Sequence, residues 1–271
     1  MKQLTAVVLG ATGLTGEMVV KELLNNKDYK TVRVLVRHSL TLIHPKLQQC
    51  IVDFNDKKDF ETQMGEGDII FSCIGTTQKK VKGDKKLYEK IDHDIPVNAA
   101  EIGITQGFKK FLIISSVGAN ENSSNFYLRL KGKTEKSLQQ FSFESISIFQ
   151  PSLLNGRRNE TRFTEQLAAV MLDLVSFLFL GPFSKYHAIG ADTIARAMVY
   201  ESRQNKTGIH CYHYEEMMDK HTAVIYNVND DGTFVVAEQN TSAGGKKVTL
   251  NSLDPKNIVT GKFRIYRPMG E

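Results

Sequence analysis

A tyrosine and a lysine four positions apart, Tyr127 and Lys131, form the residue pair in this sequence that is best suited to chemistry. Residues i and i+4 of a helix share one face, so the lysine ammonium would lie beside the phenol and stabilise its phenolate form. The tyrosine could then exchange a proton with a carbonyl or hydroxyl group. Ser116 ends an apolar run eleven residues earlier, and its hydroxyl could hydrogen-bond the same substrate oxygen. Because such pairs also occur on ordinary helix surfaces, the prediction that Ser116, Tyr127 and Lys131 are catalytic depends on the fold around them.

Three glycines near the start of the chain, Gly10, Gly13 and Gly16, predict a binding site for a dinucleotide. They follow the apolar run 6–9 and precede an amphipathic helical pattern that begins at Leu14. The first glycine lets the chain turn off a strand, the second lets backbone N–H groups approach a pyrophosphate, and the third lets the helix pack closely. The positive end of the helix dipole then favours the anion. The alternative is a tight turn that contains glycines by chance.

The residues that follow the second apolar run indicate which nicotinamide cofactor binds. The run 32–36 is followed by Arg37 and His38, with no acidic residue. An acidic side chain at this point binds the ribose 2′-hydroxyl of NAD, whereas an arginine accommodates the 2′-phosphate of NADP. We therefore predict NADP (NADPH), the alternative being an arginine that is simply solvated. By the same logic Asp53 would reach the adenine edge, and the backbone of residues 74–76 would lie along the cofactor.

These residues need a scaffold in which strands and helices alternate. Strand-like runs occupy residues 6–9, 32–36, 50–52, 68–74, 111–115 and 145–149. Helical periodicity lies between them and beyond, clearly at 87–104, 126–141 and 191–204. This alternation predicts an α/β fold with a Rossmann-type doubly wound parallel sheet, in which ligands bind at the carboxyl ends of the strands.

Near Asp219 the alternation of strand and helix patterns ends, and consecutive strand-like segments follow. The segments 222–228, 233–238, 246–250 and 263–267 read as strands, the first two joined by a hairpin turn. We therefore predict two domains: a dinucleotide-binding domain at 1–218 and a small C-terminal antiparallel β module at 219–271.

Composition narrows the class of protein. The hydrophobic content of 41% and charged content of 24% are typical of a soluble globular chain, and a net charge of +5 without a long basic tract argues against a nucleic-acid partner. The three cysteines form no CxxC pair, and the two histidines and one thiol from His210 to His213 have no second ligand pair, so we predict no metal site. Because nothing precedes the first strand that could serve as a signal peptide, we expect a cytoplasmic protein.

The apolar stretch from Leu167 to Leu180 has helical periodicity but is interrupted by Asp173. It is too short to span a bilayer, so no integral membrane segment is predicted. Ordinary core packing is the simplest interpretation of its apolar face, but a pocket wall for a small-molecule substrate, a dimer contact and a membrane-surface patch remain open. A homodimer or a protein partner would bind through this helix or through the C-terminal module.

With these residues identified, the chain resembles an atypical short-chain dehydrogenase/reductase, and in particular the Tat-interactive-protein family. The similarity covers residues 1–218 and is carried by the segments GATGLTG (10–16), VDF (52–54), CIGTT (73–77), SSVGANENSSNFYLRLKGKTE (115–135) and FQPSLLNGRRNETR (149–162). The resemblance implies an NADP(H)-binding Rossmann domain in which Ser116, Tyr127 and Lys131 match the catalytic positions, and Gln150 with Pro151 matches the turn near the nicotinamide. The cofactor-binding residues expected are Gly10, Thr12, Gly13, Leu14, Thr15, Gly16, Arg37, Asp53, Phe54, Ile74, Gly75, Thr76, Ser115, Lys131, Gln150 and Pro151.

The C-terminal segment resembles the second half of a CHAP-type amidohydrolase/peptidase. His221 matches the base of that family, Asn240 or Glu238 matches its orienting partner, and KFRIYRP matches its last strand. Such a mechanism needs a thiolate at a helix N-terminus, earlier in the fold than the histidine. Cys211 is the nearest cysteine and lies in a strand-like run, so we predict no peptidase activity.

The function predicted from the sequence is that of an NADP(H)-dependent oxidoreductase that acts on a small carbonyl or alcohol. Two alternatives belong to other classes: a catalytically silent protein that senses NADP(H) and regulates a partner, and a CHAP-type amidase/peptidase. The intact set of Ser116, Tyr127 and Lys131 favours the first over the second, and the missing nucleophile counts against the third.

Overall fold

The computed structural model describes residues 3–152, 154–155, 189–218, 223–228, 234–240 and 247–253. The chain divides into two compact units, Met1–Lys220 and His221–Glu271. The first unit contains the seven-stranded parallel sheet, and the second contains three antiparallel strands.

The sheet of the first unit has the order β3-β2-β1-β4-β5-β6-β9, and every neighbouring pair is parallel. Its strands are β1 (Leu4–Leu9), β2 (Tyr29–Val36), β3 (Leu47–Ile51), β4 (Ile69–Ser72), β5 (Lys110–Ile114), β6 (Ser145–Phe149) and β9 (Gly208–Tyr212). A separate short pair joins β7 (Leu154–Asn155) to β8 (Ile189–Gly190). The predicted Rossmann-type parallel sheet is confirmed.

The helices of the first unit follow the predicted alternation. Among the residues that the structure describes, they are α1 (Leu14–Asn25), α2 (Lys57–Met64), α3 (Lys85–Glu89), α4 (Ile95–Thr105), α5 (Phe126–Leu138), α6 (Ala191–Ser202) and α7 (Tyr214–Met218). A π-helical turn, Lys90–Asp94, lies between α3 and α4. The single helix predicted at 87–104 is therefore an α-helix that widens into a π turn and then continues.

Both faces of the sheet are buried, which explains the nearly continuous apolar character of its strands. Successive residues of a strand point to opposite faces. In β1, Ala6 and Val8 pack into one hydrophobic cluster together with residues of α1 and α6, whereas Val7 and Leu9 pack into a second cluster with residues of α2 and α4. The sheet is thus covered by helices on both sides.

The strand order reverses between β1 and β4, because β2 and β3 extend the sheet in one direction and β5, β6 and β9 in the other. Ligands of such folds bind outside the carboxyl ends of the strands at this reversal. The backbone N–H of Cys73 donates to the carbonyl of Leu9 at 2.9 Å, so the ends of β1 and β4 lie side by side. The glycine turn after β1 is therefore located at the expected ligand-binding edge.

Two glycines make this turn possible. Gly10 has a φ of +79°, and a Cβ atom there would lie 2.5 Å from the carbonyl oxygen of Cys73. A Cβ on Gly16 would lie 2.1 Å from the carbonyl oxygen of Gly10. Since both neighbours are backbone atoms, neither contact can be relieved by a side-chain rotation. The start of α1 therefore packs directly on the end of β1.

In the second unit, β10 (Ala223–Val228), β11 (Phe234–Asn240) and β12 (Lys247–Leu253) form an antiparallel sheet in that order. The first three strand-like segments of the tail correspond to these strands. The fourth, at 263–267, and His221 lie outside the described residues. The assignment of 1–218 and 219–271 as two domains stays a prediction. Across the residues that the structure describes, no helix has the length and apolar character needed to cross a membrane.

The close packing at Gly16 yields a stability prediction. Gly16→Ala should lower the free energy of unfolding by about 1–3 kcal/mol through overpacking, although alanine is the better helix former by about 1 kcal/mol. Gly75→Ala is the matched control, because the nearest atom to a Cβ at Gly75 is the Asp92 Oδ2 at 3.9 Å, and its effect should stay within about 0.5 kcal/mol. Urea unfolding of the ligand-free protein measures both, and equal stabilities would contradict the packing argument.

Candidate active site

The N-terminus of α1 is the natural place for a phosphate group in this structure. Its N-cap residue is Gly13, which has no side chain that could accept a hydrogen bond from the first turn. In contrast, α2, α3 and α5 begin at Asp56, Asp84 and Asn125, whose side chains accept two backbone N–H groups each. The N–H groups of the first turn of α1 are thus available to an anion, and the helix dipole favours its binding there. The residues present fit a dinucleotide.

The remaining residues predicted around the glycine turn differ in accessibility. Thr12 and Gly13 are exposed and Leu14 is half-buried, whereas Thr15 and Gly16 are buried. The hydrogen bond from the Gly13 N–H to the Gly10 carbonyl, at 2.9 Å, closes the turn. The accessible residues are therefore those nearest the helix N-terminus.

At the predicted adenosine end, Arg37 and Asp53 follow two neighbouring strands. Arg37 comes directly after β2 and is exposed, and it makes no ion pair with any other residue that the structure describes. Asp53 is also exposed, and its Oδ1 accepts hydrogen bonds from the Asn55 backbone N–H at 2.9 Å and side-chain amide at 2.8 Å. Phe54 packs edge-to-face on Phe60, with ring centroids 5.0 Å apart. Because Val36 at the end of β2 pairs with Ile51 at the end of β3, these side chains share one edge of the sheet.

The loop after β4 is held by two buried side chains. Asp92 Oδ1 accepts the backbone N–H of Thr76 at 2.8 Å, and the Tyr88 hydroxyl donates to the Thr76 carbonyl at 3.0 Å. Within this loop, Ile74 and Thr76 are half-buried and Gly75 is exposed. The peptide groups on both sides of Thr76 are therefore fixed by residues from α3 and the π turn.

Tyr127 and Lys131 lie on α5, as the i, i+4 spacing predicts. The Lys131 Nζ is 5.9 Å from the centroid of the Tyr127 ring and forms an ion pair with the Asp92 Oδ2 at 3.1 Å. The side chains of Lys131 and Asp92 are only 6% and 1% exposed, so the pair is almost fully desolvated. The site thus holds a buried cation beside a half-buried phenol.

Burial and charge act in opposite directions on this ion pair. Burial by itself would lower the pKa of Lys131, but the combined attraction of Asp92, Tyr127 and Glu135 outweighs it and raises the pKa of the ammonium. Burial raises the pKa of Asp92, and the Lys131 charge and the Thr76 N–H oppose that rise. Lys131 is therefore held in its cationic form.

A second buried acid, Glu135, lies one helical turn beyond Lys131. The Ser115 hydroxyl donates to Glu135 Oε1, and the Gln150 side-chain amide donates to both carboxylate oxygens at 2.9 and 3.1 Å. Burial raises the pKa of Glu135, against the effect of both donors and of Lys131. The side-chain donors of Ser115 and Gln150, which were predicted to contact the cofactor, are thus engaged by Glu135.

Ser116 is buried but does not join this network. Its hydroxyl donates to the Val117 carbonyl at 3.3 Å, and the Val117 N–H donates to the Pro151 carbonyl at 3.0 Å. The segments after β5 and β6 are therefore tied together by the backbone, with Ser116 and Pro151 side by side. The roles of Ser116 and of the predicted cofactor-binding residues stay predictions.

Two functional candidates, Asp92 and Glu135, are missed by the sequence patterns. Glu135 has a signal that could have found it, since it continues the i, i+4 series from Tyr127 and Lys131. Asp92 has no such signal beyond being an acid within an apolar helical pattern, because its contact with Lys131 is long-range and depends on the π turn.

In the part of the chain that the structure describes, no group of three or more His, Cys, Asp or Glu residues could hold a metal ion. The segment from Leu167 to Leu180 lies outside that part.

Comparison with known proteins identifies the family. A family model described as NAD(P)H-binding matches residues 10–171. Rat protein HTATIP2 is 30% identical over 202 residues, which are 73% of this chain and 81% of that protein. This chain belongs to the NAD(P)H-binding family of atypical short-chain dehydrogenases/reductases. The predicted resemblance to Tat-interactive proteins is confirmed, and family membership supports an NAD(P)-dependent, reductase-like role.

Further relatives of this reductase-like chain correct the prediction of its cellular location. Protein FMP52, mitochondrial, from Kluyveromyces lactis is 33% identical over 159 residues, or 58% of this chain and 70% of that protein. Because FMP52 relatives are named as mitochondrial proteins, the prediction of a cytoplasmic location is contradicted.

Solved structures agree with the fold of the reductase-like unit. A UDP-N-acetylglucosamine 4-epimerase from Methanobrevibacter ruminantium M1 superposes with a TM-score of 0.58, at 18% identity and over 81% of each chain. At that identity the likeness concerns the fold alone.

Toward the C-terminus, a family model described as the AIM3/BBC1 cysteine proteinase-fold domain matches residues 197–271, which agrees with the predicted CHAP-like tail.

The buried ion pair of the reductase-like unit yields a stability prediction. Lys131→Met leaves the Asp92 carboxylate buried without its cation, which should lower the free energy of unfolding by about 3–5 kcal/mol at pH 8. The double variant Lys131→Met/Asp92→Asn should lose less, because an amide tolerates burial better and still accepts the Thr76 N–H. In the single variant the folded-state pKa of Asp92 lies above its unfolded value, so stability should be lost as the pH rises through that folded value. The cost should therefore shrink toward pH 4.

Lys133 provides the matched control on the same helix. It pairs with Glu89, but the two side chains are 51% and 39% exposed. Lys133→Met should therefore cost no more than about 1 kcal/mol. Urea unfolding at pH 4 and pH 8 measures all of these variants. Equal costs for Lys131→Met and Lys133→Met, with no pH dependence, would show that burial of the first pair has no energetic consequence.

Proposed function

We propose that this chain is an NADP(H)-dependent oxidoreductase that acts on a small carbonyl or alcohol, with Ser116, Tyr127 and Lys131 as its catalytic residues. The observation that carries the proposal is the buried Lys131 ammonium, 5.9 Å from the ring of Tyr127 on the same helix face. A fixed cation in a desolvated site stabilises the phenolate that forms when a tyrosine gives up its proton. Membership of the reductase-like family supports the same chemistry.

In the proposed mechanism, the protein residues orient the substrate oxygen and move one proton. A bound nicotinamide cofactor supplies hydride chemistry at the substrate carbon. The Ser116 hydroxyl donates a hydrogen bond to the substrate oxygen, and the Tyr127 hydroxyl transfers its proton to that oxygen during reduction. Lys131 stabilises the resulting phenolate. In the direction of oxidation, the same phenolate accepts the proton of an alcohol.

Tyr127→Phe tests the proton donor. It should lower kcat by about 10²–10⁴-fold, while the Kd for NADPH stays within twofold because the ring is retained. The measurement is NADPH absorbance over a panel of carbonyl and alcohol substrates, together with NADPH binding by fluorescence. Tyr200→Phe is the control, since Tyr200 lies on α6, which packs on the opposite face of the sheet from α4.

The outcomes of this test separate the candidate functions. Turnover that survives Tyr127→Phe would reject Tyr127 as the proton donor. NADPH binding with no turnover of any substrate in the wild-type protein would instead indicate the cofactor-sensing alternative.

The proposed preference for NADP rests on Arg37. Its exposed guanidinium follows β2 directly, at the edge where a ribose 2′-phosphate would lie, and the next residue is His38 rather than an acid. Arginine recognises phosphate through paired, charge-assisted hydrogen bonds.

Arg37→Glu should therefore raise the Kd for NADPH by about tenfold or more and reverse the order of affinity for NADPH and NADH. Lys30→Glu makes the same change of charge near the other end of β2, and it should leave the order unchanged. Calorimetric titration with both cofactors measures the effect. Equal affinity of the wild-type protein for NADPH and NADH would remove the role proposed for Arg37.

We also propose that the C-terminal segment has no peptidase activity. Cys211 lies within strand β9, paired with Ile148 of β6, whereas a nucleophilic thiolate of this class needs the N-terminus of a helix. The family model that matches residues 197–271 supports a relation of fold to cysteine proteinases. It does not supply the missing nucleophile.

A further inference from the structure

Most of the net charge of this chain is concentrated in one short segment beside the candidate active site. Residues 79–90 contain six lysines and two acidic residues, a net charge of +4, where the whole chain carries +5. All six lysines are exposed, and none forms an ion pair with another residue that the structure describes. Together they form what we call the lysine rim: Lys79, Lys80, Lys82, Lys85, Lys86 and Lys90.

The two acids of this segment have other partners. Asp84 caps α3, and its Oδ1 accepts the backbone N–H groups of Lys86 and Leu87 at 2.9 and 3.0 Å. Glu89 forms an ion pair with Lys133 of α5. The ammonium groups of the lysine rim are therefore available to an anion from solution.

The lysine rim lies next to Tyr127 because the turn that carries its first three lysines packs on α5. This turn, residues 77–84, follows β4, and α5 follows β5, so both begin near the carboxyl ends of the strands. Val81, which lies between two lysines of the rim, is buried in a small cluster with Tyr88 and Leu130. Tyr127 packs against the same cluster. The rim and the proposed proton donor thus share one hydrophobic base.

Phe126, the residue before Tyr127, holds two more cations close to the site. The Lys85 Nζ lies 5.6 Å from the centroid of the Phe126 ring, and the Arg129 guanidinium carbon lies 6.0 Å from it. The face of an aromatic ring attracts such cations. The Arg129 guanidinium donates to the carbonyls of Ser123 and Ser124, which leaves its charge in place. Positive charge therefore borders the phenol both from α3 and from α5.

We infer that the substrate is a small carbonyl compound with an anionic group, a carboxylate or a phosphate, which the lysine rim binds while the carbonyl oxygen lies at Tyr127. Resting on the proposed function, this assignment names the substrate class of the same site. Lys131 is not available to that group, because it is buried and paired with Asp92. The cofactor phosphates are proposed to lie at the N-terminus of α1 and at Arg37, on other strands of the sheet.

The expected contribution of the lysine rim is a collective one. A single exposed ion pair contributes little, but several like charges beside one site raise the local concentration of an anion and speed its arrival. Such an effect is screened by salt, because the charges are exposed. The preference for an anionic substrate should therefore depend on ionic strength.

Two pairs of aldehydes test the substrate class with NADPH as the cofactor. Succinic semialdehyde and butanal differ by a carboxylate, and glyceraldehyde 3-phosphate and glyceraldehyde differ by a phosphate. In at least one pair, the anionic member should have the higher kcat/KM by about tenfold or more at low salt. That preference should fall severalfold as the ionic strength rises from about 0.02 to about 0.5 M. Equal kcat/KM within both pairs would overturn the inference.

A triple variant, Lys80→Gln/Lys82→Gln/Lys85→Gln, tests the lysine rim itself. It should lower kcat/KM for the preferred anionic aldehyde by about tenfold, and leave the neutral aldehyde and the Kd for NADPH within twofold. The control, Lys21→Gln/Lys27→Gln/Lys30→Gln, removes the same charge near the end of α1 and the start of β2, and it should leave the preference unchanged. An equal loss in both variants would contradict a local role, and so would an unchanged preference in the first variant. A weaker Kd for NADPH with the preference intact would assign the rim to the cofactor instead.

A binding measurement separates this inference from the proposed function. Succinate and inorganic phosphate have no carbonyl to reduce, and calorimetric titration of the NADPH-loaded protein gives their affinity without turnover. At least one of them should bind severalfold more weakly to the triple variant of the lysine rim than to the wild type. If the wild type reduces no carbonyl, or if Tyr127→Phe retains turnover, the proposed function fails while this titration still applies. Affinities that are the same in the wild type and the triple variant would overturn the inference.

Discussion

A lysine ammonium and an aspartate carboxylate remain charged inside a protein only where each compensates for the hydration that the other has lost. Lys131 and Asp92 meet this condition at 3.1 Å, with almost no exposure. The arrangement constrains everything that touches it: α5 must keep one face on the π turn, and the π turn must keep its carboxylate on the loop after β4. The Rossmann-type sheet provides the edge, but this pair fixes how three elements meet there.

The charge balance around the pair extends to Glu135. Two carboxylates and one ammonium are buried along the same region of α5, and burial raises the pKa of both acids. The structure relieves the second acid with neutral donors, Ser115 and Gln150, instead of a second cation. Lys131 lowers the pKa of Glu135 less than these two donors do, and its ammonium stays next to Tyr127. The ends of β5 and β6 are joined at the same time, because Ser115 and Gln150 follow these two strands.

The parts of this fold that follow local rules could be predicted from the sequence. Gly10 and Gly16 predict a strand, a turn and a helix, because only glycine permits the backbone contacts that are observed there. Tyr127 and Lys131 share a face because helical spacing requires it. Asp92 could not be predicted in this way. Its partner lies on a different helix, and the π turn that presents it interrupts what reads as one continuous amphipathic pattern. Long-range electrostatic contacts have no period in the sequence, so the second half of the ion pair becomes visible only in three dimensions.

The match to the cysteine proteinase-fold model begins at a residue that packs inside the first unit. The cysteine proteinase-fold model begins at residue 197, inside α6, yet the residues from there to 212 are part of the core of the first unit. Tyr212 of β9 stacks on Phe149 of β6 with ring centroids 4.8 Å apart, and Ser202 of α6 hydrogen-bonds the Tyr29 hydroxyl at 2.6 Å. A cut at residue 197 would therefore remove the edge strand beside β6 and split α6, leaving buried polar groups without partners. The physical contacts favour a boundary after α7, so similarity to the cysteine proteinase fold and membership of the Rossmann core overlap in this stretch of chain.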